Sequence, residues 1–131
     1  MSMTERRAPR YFTPDEANAL LEHLRPLVAQ MMDAHGRIAQ RLPDVEVTLE
    51  RHAANGGGRV AGDLLTLNDR LQVSLRAIQS CGVLVKDAHR GLLDFPALRE
   101  GRKVFLCWLY GEQRVGHWHE VDEGFYGRQP L

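Results

Sequence analysis

The sequence predicts an α+β domain in which an N-terminal antiparallel helical hairpin packs on a small C-terminal antiparallel β-sheet. Apolar residues recur at steps of three and four through roughly the first 80 positions, the period of an amphipathic helix. After Gly82 the pattern breaks into short runs of Val, Leu and aromatic residues punctuated by Gly, Asp and Pro. A chain of 131 residues suits one domain with one core, so 1–131 is read as a single unit.

Residues 1–12 read as an N-terminal arm, and the first helix as 13–42. Thr13 can cap, Pro14 suits the first helical position, and Glu16 stands three residues after Thr13 to close a capping box. Phe12, just before the cap, is placed to pack on Ala17 as a hydrophobic staple. Ala17, Leu20, Leu21, Leu24, Leu27, Val28, Met31, Ile38 and Leu42 then form one stripe. Pro26 lies within it, and a kinked helix is expected there rather than two helices, because the stripe stays in phase. Residues 43–59 are expected to form a loop. Val45, Val47 and Leu49 alternate like a strand, Glu50 to Ala54 would equally extend a helix, and Asn55-Gly56-Gly57-Gly58 is a connector either way. The second helix is expected over 60–81, buried through Val60, Leu64, Leu67, Leu71, Leu75 and Ile78, with Gly82 ending it in a left-handed turn.

The sheet is expected over 83–121. Val83-Leu84-Val85 is a short strand, Leu92 to Phe95 a second stopped by Pro96, and Val104–Tyr110 and Arg114–Val121 form a longer hairpin. Gly111-Glu112 between them suits a type II′ turn, which sets Trp108 opposite Val115, Leu106 opposite His117 and Val104 opposite His119. A three-residue loop would instead bring Cys107 opposite His117; the shorter turn is preferred because a three-residue loop usually wants its Gly last. Both faces of this hairpin are apolar, and two helices can cover only one. The other is left for a second chain or for the tail 122–131, whose Phe125, Tyr126 and Leu131 suit docking. A homodimer is the expectation drawn from this.

Seventeen basic and seventeen acidic residues give a net charge of zero, which removes the electrostatic footprint of a general nucleic-acid binder. A nucleic-acid-associated protein would use Arg6, Arg7 and Arg10 with Arg59, Arg70 and Arg76. No apolar run approaches the roughly 20 residues of a membrane span, and MSMTERRAPRYF lacks the apolar core of a secretory signal. Cys81 and Cys107 are too few for a disulfide scaffold, so reduced thiols and a cytoplasmic location are expected.

YFTPDEANALLEHLRPLV near the start, and the block from GVLVKDAHRGLLDFPALREG to HWHEVDEGFYGRQPL, together resemble a bacterial family, the domain of unknown function 2203 family. The resemblance covers nearly the whole chain and is weakest between Pro43 and Gly58. It implies a small cytoplasmic bacterial protein, and it assigns no activity, cofactor or catalytic residue.

The cluster richest in chemistry is His117-Trp118-His119-Glu120-Val121-Asp122-Glu123. In a strand His117 and His119 point to one face, and with a carboxylate they would supply three of the four ligands of an open zinc site. Asp122, Glu123 or Asp94 from a neighbouring strand can provide that carboxylate; the structural alternative is a pair of hydrogen-bonded histidines within the sheet. Asp94 reads as one half of a strand-end ion pair with Arg90, Arg99 or Arg102, or as a catalytic acid. Cys107 reads as a small core residue, with a thiol ligand or nucleophile as its functional alternative. Arg128 is expected to pair with Glu120, Asp122 or Glu123.

With no catalytic motif in view, the expected function is a non-enzymatic oligomeric interaction or regulatory module with a protein partner. The alternative is a metal-binding protein or metal-dependent enzyme, holding zinc or another divalent metal through His117, His119 and a nearby carboxylate.

Overall fold

A computed structural model describes residues 10–52 and 57–131, with side chains over 10–42 and 59–131. Arg6, Arg7 and most of the expected arm lie outside the described residues. Two packed helices precede a five-stranded antiparallel sheet, the expected α+β layout.

Helix α1 spans Pro14–His52. Its start is a reciprocal capping box: Thr13 N–H donates to Glu16 Oε1 at 2.8 Å, and Glu16 N–H donates to Thr13 Oγ1 at 3.1 Å. These bonds hold the Glu16 carboxyl below its ordinary range. Ala17, Leu21, Leu24, Val28, Met31 and Ala34 are buried along one face, and Pro26 is exposed on the other, where the helix continues through it. The expected loop over 43–59 is shorter than the sequence suggested. Helix α1 runs ten residues past Leu42 to His52, and α2 begins at Gly57; residues 53–56 of that loop lie outside the described residues. The choice the local pattern left open falls to helix, continuous with the long segment already nucleated before it.

Helix α2 spans Gly57–Ser80 and packs along α1. It closes with Cys81 N–H donating to the Ile78 carbonyl and Gly82 N–H to that of Gln79, with Gly82 in the left-handed region at φ +87°.

The sheet is a meander ordered β1-β2-β3-β4-β5: Leu84–Asp87, Leu92–Arg99, Arg102–Leu109, His117–Glu120 and Gln129–Pro130. Pro96 does not stop β2, which continues to Arg99. Its carbonyl accepts a bond from Phe12 N–H at 2.7 Å, and in an antiparallel strand a residue's nitrogen faces the same side as its carbonyl. The missing donor therefore faces the Phe12 side, and the β3 ladder loses nothing. Glu100 and Gly101 both have positive φ, 53° and 78°, the signature of a type I′ turn that sets Arg99 opposite Arg102.

The β3–β4 pairing corrects the preferred register by one residue. Cys107 lies opposite His117, Leu106 opposite Trp118 and Phe105 opposite His119. No type II′ turn forms, because residues 110–116 make a longer connection fastened at both ends. The Glu112 carboxylate accepts from Leu109 N–H at 2.8 Å and its carbonyl from Trp108 Nε1 at 3.0 Å. Further on, Asn18 of α1 clamps Val115, accepting from its N–H at 2.7 Å and donating to its carbonyl at 3.2 Å. A one-residue slip flips every side chain, so Trp118 joins Leu93, Phe95, Val104, Leu106 and Trp108 in the core against the helices.

The tail adds the last strand at the sheet edge, and of the residues expected to dock Tyr126 is 94% and Leu131 46% exposed. After β4 the chain turns through a 3-10 turn, Phe125–Gly127, and returns as β5 beside β4, where Leu131 N–H donates to the Gly116 carbonyl. Among the described residues no helix is long and apolar enough to cross a membrane.

Candidate metal centre

The two hairpin registers bring the site together. Asp94 of β2 lies opposite Cys107 of β3, and Cys107 lies opposite His117 of β4, so the three side chains stand in one row. This row is on the face away from the helices, and His119, two residues after His117, shares that face. Asp94, Cys107 and His119 are all buried, with 2%, 0% and 3% exposure.

His119 turns its ring into the row. Nε2 lies 3.0 and 3.1 Å from the two Asp94 oxygens, and Nδ1 lies 2.7 Å from the Glu120 carbonyl. A carbonyl only accepts, so Nδ1 carries a proton. One further proton is then shared between Nε2 and the Asp94 carboxyl. The expected pairing of Asp94 with Arg90, Arg99 or Arg102 does not occur: Arg102 pairs with Glu120 instead, holding that carboxyl below its usual range, and Arg99 stacks over Trp118 at 4.4 Å. Register decides this, since Asp94 points inward beside His119 while the arginines lie at exposed positions.

Burial pushes the Cys107 thiol up to about 12, and the neighbouring Asp94 carboxylate pushes it the same way. The Arg128 charge offsets this only in part, so at neutral pH this sulfur stays a thiol and is no nucleophile.

His117 takes a separate partner. Its Nδ1 lies 2.6 Å from an Arg128 guanidinium nitrogen, which also donates to Glu112 Oε2 at 2.6 Å. Arg128 thus pairs with Glu112 rather than with Glu120, Asp122 or Glu123, because the folded tail carries it over the 110–116 connection. The two histidines of the sequence motif therefore serve different groups. Asp122 is exposed, whereas Glu123 lines a cavity of about 160 Å³ beside Asp94 and His119, with Lys86, Leu92, Val121, Gly124 and Phe125.

One ligand atom from each of Asp94, Cys107 and His119 lies within 4.8 Å of the others. A tetrahedral zinc with bonds of about 2.0–2.3 Å separates its ligand atoms by roughly 3.5 Å, so small side-chain shifts would let the three converge on one ion. The bond from Nδ1–H to a backbone carbonyl is the outer contact that orients a ligating imidazole. The sequence favours Cys107 as a core residue, with a thiol ligand as the alternative, and its place in this cluster was open to a reading of the turn before it. The Glu100-Gly101 turn, read as a two-residue hairpin, would have placed it opposite Asp94.

The fold and this cluster define a class of protein: an α+β protein with two packed helices before a five-stranded antiparallel sheet whose edge strand comes from the tail, and a buried Asp-Cys-His set within that sheet. Residues 10–131 match the family described as Uncharacterized conserved protein (DUF2203), and the chain belongs to it. No curated protein and no solved structure matches the chain.

Proposed function

We propose that this chain is a metal-binding protein that holds one divalent ion, with zinc the best fit, through Asp94 Oδ, Cys107 Sγ and His119 Nε2. The convergence of three buried donors of different chemistry carries this reading. A thiolate with an imidazole favours zinc over the hard cations that prefer all-oxygen sites. Its two anionic ligands would balance the charge of the ion. The reading keeps His119 and Asp94 from the ligand set expected from sequence, replaces His117 with Cys107, and leaves Asp122 outside. A thiol ligand also suits a reducing, cytoplasmic setting.

Elemental analysis and a zinc titration against a competing chromophoric chelator, on protein without a histidine tag, test it. One zinc per chain is expected, with at least tenfold weaker binding in Cys107→Ser and His119→Ala of unchanged helical content. Wild-type protein that binds zinc no more tightly than the double variant would overturn it.

The second reading, an oligomeric interaction or regulatory module, is favoured by α2, whose Leu65 and Val73 are 65% and 58% exposed. Glu123, Gly124 and Phe125 of the tail border the cavity on the sheet face that motivated a homodimer, and the metal reading needs no second chain. Light scattering separates them: a mass near twice 14.9 kDa across a concentration series supports the module, and a steady 14.9 kDa removes it.

A further inference from the structure

The cavity over the cluster has a polarity of its own. Val85 pairs with Leu93 and Asp87 with Leu92, so Lys86 is the extra residue of a β-bulge, a device that re-aims a side chain. Its ammonium stands 5.2 Å from the centre of the Phe105 ring, which in turn lies 5.6 Å from the ring of His119. Asp87, the nearest acid in sequence, is used inside its own turn, its Oδ1 accepting from the backbone N–H groups of His89 and Arg90. Among the described residues Lys86 forms no ion pair, and it is the one cation lining the cavity. At another part of the wall is Glu123. A Cβ on Gly127 would stand 2.7 Å from Glu123 Cβ and 3.0 Å from its Cδ, so the bare glycine backbone packs directly on that side chain. Phe125 completes the wall, held between the guanidinium groups of Arg90 and Arg128 at 4.8 and 4.6 Å from its centre.

Three protein ligands would leave a zinc ion one open position, and two of those ligands, Asp94 and His119, line the cavity. We infer that the cavity binds a small hydroxycarboxylate, one carboxylate oxygen filling the open position on the metal beside the Lys86 ammonium and the hydroxyl donating to Glu123. The inference rests on the metal reading above. A volume of about 160 Å³ suits a ligand of a few carbons. The ion with Asp94 and Cys107 is neutral overall, so Lys86 supplies the charge that attracts the carboxylate. Glu123 only accepts hydrogen bonds, so it selects a ligand with a donor at its far end. Binding is ligand exchange: the carboxylate displaces a water molecule and no covalent bond is made or broken.

Cobalt(II)-loaded protein tests this, because a thiolate-to-cobalt absorption band reports the metal and the visible bands report its fourth ligand. Glycolate titrated at constant ionic strength should shift the visible bands. Lys86→Met should bind glycolate roughly three- to tenfold more weakly while keeping the thiolate band. Acetate, which lacks the hydroxyl, should bind wild type more weakly than glycolate, and Glu123→Gln should narrow that difference. Absence of the thiolate band would overturn the metal reading and this inference with it. A thiolate band with no response to glycolate, or an equal response in Lys86→Met, would overturn the inference and leave the metal reading standing.

Discussion

His119 Nε2 lies 3.0 Å from Asp94 Oδ1 although the two residues are 25 positions apart, and both side chains are almost wholly removed from solvent. A single proton joins them, and each finds its main partner in the other. Either partner alone would be costly to bury, which makes the pair a sensitive reporter of the surrounding fold.

Asp94→Ala should therefore destabilise the metal-free protein by roughly 3 kcal/mol, since it leaves the inner nitrogen of a buried imidazole without a partner. The double replacement Asp94→Leu with His119→Phe should cost less than the sum of the single changes, because it removes both polar groups together. Urea denaturation of the four proteins measures this. Additive single effects would show that the two groups act independently.

Alkaline stability should expose Cys107. Its folded pKa, about 12, lies above the ordinary thiol value, so between about pH 9 and 12 the unfolded chain has lost a proton that the folded chain keeps. Stability contributed by this group is full below pH 9 and falls above it, by at most about 1.4 kcal/mol per pH unit. Cys107→Ala should flatten that part of the pH profile. An unchanged slope would mean that the sulfur is not shielded as described.

Zinc binding near pH 7 should release two protons per ion: one from the Cys107 thiol and one shared by His119 and Asp94. Calorimetry in buffers of different ionisation enthalpy counts them directly. A count near zero would place the metal elsewhere.

Two glycines should respond to alanine with opposite signs. Gly36 is inside α1 and a Cβ there meets nothing within 4 Å, so Gly36→Ala should stabilise by up to about 1 kcal/mol. Gly91 has φ +70°, and a Cβ would stand 2.7 Å from both Met32 Sδ and Tyr110 Cβ and 3.0 Å from Val28 Cγ1. The methionine can yield, but the tyrosine Cβ is tied to the backbone of the chain beside it. Gly91→Ala should cost roughly 2–3 kcal/mol, read as a lower melting temperature.

The sequence by itself determined the helix start at Thr13, the buried stripe from Ala17 to Met31 and the end of α2 at Gly82. Each is local, since caps, periods of 3.6 and left-handed glycines act over a few residues and need no distant partner. Even the match of the terminal block to its family was visible there. Tertiary structure decided the rest. Helix α1 continued past Leu42, Pro96 stayed within β2 because its nitrogen faces away from β3, and the sheet register moved by one residue because Glu112 and Asn18 fasten the connection between β3 and β4. That last shift chose which donors meet. The His117–His119 spacing suggests two imidazoles on one ion, yet Arg128 from the folded tail engages His117, while the register sets Cys107 beside Asp94 and leaves His119 to close the cluster. A period of two tells which side chains share a face, but only the pairing of strands tells which of them meet.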